Sequence, residues 1–424
     1  MGPLPFAQGF HYRNDVLYCG TVPVSNIVDA CGTPLYLYNL DAVADSYAIY
    51  EAAFSALDHL TCYAVKANSS LALLKTIVDA GAGLDVNSRG ELLRALRAGA
   101  DSSRITMTGV GKSRQDIAAG IEAGILLFNA ESAEECVRID EIAHAHGSIA
   151  TVVFRINPDI DAHTHPYIAT GLAEHKFGLS IDDADAVIDD VAALHHIRLA
   201  GFGMHLGSML FDSEPYVKGI RALSAFIDRI RPRLQHDVTF INIGGGIGVP
   251  YRDDAVPFSP RTLVDSIRKE VPPQLRVLSE PGRFLVANAG ILLASVEYIK
   301  HSNDRTFLIL DAGMNDLIRP ALYEAHHEIH PTRLHPKRKA VLYDVVGPVC
   351  ESGDTFAVHR TIQEMRQDER IAIFSAGAYG ATMGSSYNSR QLPAEVVVSN
   401  GIWRVSRERQ SFEQMLENER LPQE

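Results

Sequence analysis

The sequence predicts an α/β plus β protein, a closed (β/α)8 barrel of the TIM type followed by an antiparallel β domain. Three observations carry this expectation. Between about residues 61 and 280, short apolar or β-branched runs alternate with amphipathic segments, and there are eight such runs. After about residue 282 the helical periodicity fades and β-rich runs take over. The residues able to do chemistry fall at the C-terminal ends of the predicted barrel strands, the end at which such barrels work.

Taken in order, residues 1–34 are turn-rich and β-leaning, and apolar residues from Asp41 to Asp58 recur at helical spacing behind an Asn39-to-Asp41 capping region. Strands are expected near 61–67, 83–86, 104–109, 126–130, 150–156, 198–205, 239–244 and 275–280. Amphipathic segments such as Arg89–Gly99 lie between them, and with the leading helix the helices number about eight. The barrel is therefore placed at 35–281, with 1–34 joining 282–424 in the β domain. That domain is expected to use Ile291–Ile299, Thr306–Leu310, Ala340–Val346, Ile371–Phe374, Ala394–Val398 and Ile402–Val405 as strands and Ser411–Glu419 as a closing helix. The polar stretch His327–Lys339 reads as an exposed loop.

A chain of 424 residues, 46% hydrophobic, is ample for a large core and favours two domains. Its net charge of −13 argues against a nucleic-acid surface, and Arg229-Ile-Arg-Pro-Arg233 reads as a solvated helix end. Cys19, Cys31, Cys62, Cys136 and Cys350 form no CxxC pair, and their odd number suits a reducing compartment. No basic and apolar leader opens the sequence and no run of 18 apolar residues occurs, so a cytoplasmic protein with no membrane partner is expected.

Some suggestive motifs fail. Gly109-Val-Gly-Lys-Ser113 lacks the first glycine of a P-loop, since Thr106 stands there, and reads as a strand-end loop. Ile241–Gly248 is glycine-rich but has Val249 where a dinucleotide fingerprint needs its last glycine. The histidines at 163, 165, 195, 196, 326 and 327 lack metal-ligand spacing and read mostly as loop or surface residues, so no metal is expected.

Thr61-Cys-Tyr-Ala-Val-Lys-Ala-Asn68 ends an apolar strand in a lysine. Lys66 is either an amine kept partly neutral at a pocket mouth, able to attack a carbonyl, or a strand-end lysine that snorkels to water. The amides of Gly244, Gly245 and Gly246 with Ser208 can hold a phosphate without net positive charge. His205 is either a core histidine or a ring laid against a flat heteroaromatic face. Glu280, ending the last barrel strand, needs a cationic partner such as a protonated pyridine nitrogen. Pyridoxal 5'-phosphate satisfies Lys66, the glycines and Glu280 together.

Six blocks in order, Tyr63-Ala-Val-Lys-Ala-Asn68, His205-Leu-Gly-Ser208, Gly244-Gly-Gly246, Glu280-Pro-Gly-Arg283, Cys350-Glu-Ser-Gly-Asp354 and Gly377-Ala-Tyr-Gly380, resemble the fold-type III pyridoxal-phosphate decarboxylases. Within that group the chain is most similar to the diaminopimelate decarboxylases, through His163-Thr-His-Pro-Tyr167, Lys176-Phe-Gly178, Asp311–Tyr323 and Tyr387-Asn-Ser-Arg390. The resemblance runs from about residue 10 to the C-terminus. Asn87-Ser-Arg89 and Gln391-Leu392 depart from the pattern at positions that bear on loop shape.

The resemblance implies decarboxylation of meso-2,6-diaminopimelate to L-lysine and CO2, the last step of lysine biosynthesis, by a homodimer with shared active sites. It makes Lys66 the Schiff-base lysine, stacks His205 on the ring, gives the phosphate to Gly245, Gly246 and Ser208, and pairs Glu280 with the pyridine nitrogen. Asp85 and Gly282 join the cofactor site. Arg283, Arg319 and Tyr323 match substrate-binding positions, Glu351 the ligand of the substrate amine, and Tyr379 a contact to cofactor and substrate. Cys350 matches the proton donor, although a lone cysteine also reads as a small buried thiol. The alternatives are a decarboxylase of ornithine, lysine, arginine or a carboxylated polyamine, which has no use for Arg319 at a distal carboxylate, and an amino-acid racemase, which places arginine where this chain has Glu280.

Overall fold

The structure is a computed structural model and describes residues 4, 6–160, 176–252, 254 and 256–422. The chain divides into two compact units, one of Met1–Val43, Pro250–Val256 and Val286–Glu424, the other of Ala44–Val249 and Pro257–Leu285.

The second unit is a closed parallel barrel. Its strands are β1 (His59–Ala64), β2 (Gly83–Val86), β3 (Ile105–Met107), β4 (Leu127–Ala130), β5 (Ala150–Asn157), β6 (Ile197–Gly203), β7 (Phe240–Asn242) and β8 (Arg276–Ser279). Each pairs in parallel with the next, and Val277–Ser279 of β8 pairs with His59–Thr61 of β1 to close the ring. Leu60, Cys62, Leu127, Val153, Ala200, Phe240 and Leu278 fill the interior, so the barrel is a packed core. All eight strands fall where the alternation places them.

The helices after β1 to β7 are α1 (Leu71–Asp79), α2 (Arg89–Arg97), α3 (Arg114–Ala123), α4 (Ala133–Ala145), α5 (Ile181–Ala192), α6 (Glu214–Ile230) and α7 (Pro260–Ile267). Ser88, Ser113, Ser132 and Ser180 cap α2 to α5 by accepting the N–H three residues on. Each such cap contributes about 1 kcal/mol and fixes where loop ends and helix begins. The leading helix is Leu40–Phe54, and Asn39 Oδ1 accepts the Ala42 N–H at 2.9 Å, the cap that the Asn39-to-Asp41 stretch suggested. Arg233 pairs with Asp185 and Asp189 at the solvated end after α6.

The first unit is built on a sheet in which Leu35–Asn39 lies between Gly290–Ser302 and Ala394–Ser399. Placing the barrel start at residue 35 is therefore corrected: Leu35–Asn39 hydrogen-bonds within the β unit, and all five of its residues are buried in that sheet. The sheet is mixed, since Leu35–Asn39 runs parallel to Ala394–Val398 and Phe307–Ile309 runs parallel to Asp344–Val346. Its other pairings are antiparallel, as expected of this domain, and the strand that enters from ahead of the barrel supplies one of the two parallel pairs. Phe6, Phe10, Leu17, Leu35, Leu37, Ile291, Leu293, Phe374, Val396 and Val398 form its core.

Other corrections are local. Val24–Cys31 is a helix inside the β-leaning N-terminal stretch, with Val24, Ile27 and Val28 buried at helical spacing. His327–Lys339 is not an exposed loop, because Ile329–Pro331 pairs with Ile371–Ile373 and His327 is wholly buried. The closing helix is the shorter Phe412–Leu416.

Candidate active site

A cavity in the barrel unit is lined by Lys66, Thr108, Asn129, Arg155, Phe177, Gly203, Met204, His205, Asn242 and Glu280. Most of these stand at the last residue of a strand or just beyond it, which puts them at the C-terminal mouth. Lys66 sits in a short turn, Val65–Ala67, directly after β1. Its side chain is exposed and lines the cavity, so among the described residues burial is not what would keep the amine neutral.

Glu280 is buried, and its Oε1 accepts from Asn242 Nδ2 at 2.6 Å and from Asn129 Nδ2 at 3.0 Å. Asn129 Nδ2 also donates to Thr108 Oγ1 at 2.8 Å, and Thr108 donates to Asp85 Oδ1 at 2.5 Å. One chain of hydrogen bonds thus links the carboxylates of Asp85 and Glu280. Burial, with the charge of Glu280, raises the Asp85 carboxyl well above its ordinary range, against an opposing pull from Lys66. Asp85 Oδ2 is buried and, among the described residues, has no hydrogen-bond partner.

His205 Nδ1 accepts the Gly245 N–H at 3.1 Å, which fixes its ring. Burial, with the charges of Lys66 and Arg155, lowers the imidazole well below its ordinary value and keeps it neutral. Gly244 N–H goes to Asn242 Oδ1 at 2.9 Å. Of the three turn amides, two therefore donate inside the protein, leaving that of Gly246, among the described residues, for an anion. The turn requires glycine: Gly246 has φ of +109°, and a Cβ on Gly245 would overlap the carbonyl oxygen of Glu280. Arg283, buried, donates to Ser208 Oγ from Nε at 3.3 Å and from Nη2 at 3.2 Å, which brings a cation to the serine expected to hold phosphate. Gly282 lets the turn after β8 pack against that of Lys66, since its Cβ would stand 3.0 Å from Ala67 Cβ.

The remaining expected residues lie on the β unit. Arg319 opens the short helix Arg319–Tyr323 and is buried, whereas Tyr323 is half-buried. Asp354 ties down the loop that bears Cys350 and Glu351, accepting the N–H groups of Val349 at 2.7 Å and Met314 at 2.6 Å. Cys350 is exposed, so the reading as a buried thiol is corrected. Glu351 is also exposed, and Tyr387 OH donates to its Oε2 at 3.3 Å. Tyr379 has φ of +56°, in a turn where a Cβ on Gly377 would collide with the Val286 carbonyl.

Thr108, Asn129, Arg155 and Asn242 were missed by sequence reasoning. Their strand-end positions were the available signal, since polar residues there face the mouth. Arg155 pairs with Glu131 at 3.0 Å and lies over Phe177, 4.8 Å from the ring centroid. Lys112 of the apparent P-loop tail is structural, donating to Gly109 O, Asn129 O and Glu135 Oε1. His163–Tyr167 lies outside the described residues. Among the described residues no cluster of three or more His, Cys, Asp or Glu is suited to a metal ion, and no helix is long and apolar enough to cross a membrane.

An amine, a buried carboxylate, a fixed neutral imidazole and a glycine turn that a Cβ would fill suit a phosphorylated aromatic aldehyde, and together they define a pyridoxal-dependent enzyme. The family model described as "Pyridoxal-dependent decarboxylase, pyridoxal binding domain" matches residues 40–287. The diaminopimelate decarboxylase of Pseudomonas aeruginosa is 41% identical over 416 residues, covering 97% of this chain and 99% of the relative. The solved diaminopimelate decarboxylase of Helicobacter pylori, complexed with L-lysine, superposes with a TM-score of 0.88 at 37% identity, covering 93% of this chain and 98% of that one. The M. jannaschii enzyme of the same name gives 0.91 at 32% identity, covering 98% of each chain. The chain belongs to the pyridoxal-dependent decarboxylases and, within them, to the diaminopimelate decarboxylase family.

Proposed function

We propose that the protein decarboxylates meso-2,6-diaminopimelate to L-lysine and CO2 with pyridoxal 5'-phosphate as cofactor. The observation that carries this reading is the barrel cavity where Lys66, His205 and Glu280 meet, in a chain whose full-length relatives are diaminopimelate decarboxylases. When bound, the cofactor supplies an electron sink for the carbanion left as CO2 departs. Lys66 Nζ would hold the cofactor's carbonyl carbon and give way to the substrate amine. Glu280, its Oε1 fixed by two amide donors, would keep the pyridine nitrogen protonated. His205 would support the ring face, and Gly246 and Ser208, with Arg283 beside Ser208, would seat the phosphate, while Gly245, expected there too, gives its N–H to His205 and shapes the turn. Asp85 would face the Lys66 amine, whose charge it senses.

Arg319 and Tyr323 would bind the distal carboxylate, Glu351 the distal amine, and Tyr379 both cofactor and substrate. Cys350 would return the proton to the reacting carbon, and its exposure on a fixed loop supports such a role. We place these β-unit residues in the partner's active site within a homodimer. The exposure of Cys350 and Glu351 on the single chain supports that assignment, and five free cysteines support a reducing, cytoplasmic setting. The test is incubation with meso-diaminopimelate, following lysine and CO2. Faster release of CO2 from ornithine would overturn the reading.

A further inference from the structure

Two residues outside the recognised motifs hold the Arg319 guanidinium. Arg319 is 5% exposed, and its Nη1 donates to Nε2 of His327 at 2.8 Å. The guanidinium carbon lies over the Tyr251 ring, 4.8 Å from its centroid. His327 is wholly buried, and its Nδ1 donates to the Phe374 carbonyl at 2.7 Å. That bond fixes the tautomer: Nε2 carries no proton and is the acceptor that a guanidinium N–H requires. Tyr251 meets the His327 ring edge-on, with centroids 5.4 Å apart and an interplanar angle of 89°. Arg360 Nη1 holds the His327 backbone carbonyl at 2.8 Å. The support is thus fixed from several sides, as a precise fork for a carboxylate needs.

We propose that His327 and Tyr251 are positioning residues that aim Arg319 at the distal carboxylate and thereby set selectivity for ligands carrying it. This rests on the carboxylate-binding role proposed for Arg319. L-Lysine and cadaverine differ only by that carboxylate, so their competitive inhibition constants against the holoenzyme isolate the effect. Arg319→Ala should weaken lysine and leave cadaverine within about twofold. Two substitutions at 327 separate aiming from folding. His327→Gln reaches the Nε2 position and keeps an acceptor for Arg319, whereas His327→Asn reaches only the Nδ1 position and keeps the donor to Phe374. Aiming predicts that Asn weakens lysine roughly tenfold, the scale of a hydrogen bond to a charged group, and that Gln restores most of it. Tyr251→Phe, which keeps the ring, should bind lysine more tightly than Tyr251→Leu.

If Arg319→Ala weakens both ligands equally, the role of Arg319 fails and the inference with it. If Arg319→Ala is selective but His327→Asn matches wild type, or Gln loses as much as Asn, the inference alone is overturned.

Discussion

The barrel mouth and the Cys350 loop hold their functional side chains in opposite ways. At the mouth, side chains fix side chains: Glu280, Asn129, Asn242, Thr108 and Asp85 form one buried chain of hydrogen bonds, and His205 is fixed by the amide of the glycine turn. On the loop, one carboxylate fixes backbone. Asp354 gathers the Val349 and Met314 amides and leaves Cys350 and Glu351 exposed. On the reading proposed above, the first arrangement would seat the cofactor and the second would present Cys350 and Glu351 to a partner's site, so damage to the two should be separable in measurement.

The largest expected effect is that of Lys66→Ala. It should abolish turnover and cofactor retention together. The wild-type protein should absorb in the visible, and borohydride reduction should leave a pyridoxyl group on Lys66. A label on Lys75 or Lys112 instead would overturn the assignment of Lys66. Cys350→Ala should come next, lowering kcat by about 10²–10⁴, the usual contribution of a positioned acid. Its visible absorbance and cofactor affinity should match wild type, and loss of cofactor would erase the distinction between seat and loop.

A smaller effect follows from Asp85, whose carboxyl is raised by burial. A raised folded-state value means that its contribution to stability is full below the unfolded value of about 3.9 and is lost as pH rises. Asp85→Asn should therefore raise the Tm of the cofactor-free protein by a few degrees at pH 7, and the gain should shrink toward pH 4. Thermal melts across that range check it. A loss of Tm at pH 7 that fades on acidification would instead mean that Asp85 is held ionised by Lys66.

The same contrast explains what could be read from the sequence. The barrel was legible because strict alternation leaves few topologies and strand ends announce the mouth: Lys66, Asp85, His205, the glycines and Glu280 all followed. The amide network did not follow, since Asn129 and Asn242 gain meaning only when strands distant in sequence close into a ring. In the β unit, short motifs singled out Cys350, Glu351, Arg319 and Tyr379 as candidates, but pairing order was hidden. Leu35–Asn39 reaches its sheet across the whole barrel sequence, and Tyr251 joins Arg319 from an insertion between β7 and α7. His327 looked like part of a polar loop because its burial depends on a pairing, Ile329–Pro331 with Ile371–Ile373, that no local pattern marks.

The central claim is that seat and loop meet across two chains, and mixing two inactive variants tests it most directly. Lys66→Ala and Cys350→Ala homodimers should each turn over poorly. After subunit exchange, each mixed dimer has one site carrying both defects and one built from an intact Lys66 and an intact Cys350. With random pairing half the dimers are mixed, so activity should return to a ceiling of about a quarter of wild type, as a two-fold interface dictates. Verified exchange with no activity above the parents would contradict the shared site and return Cys350 and Glu351 to their own chain.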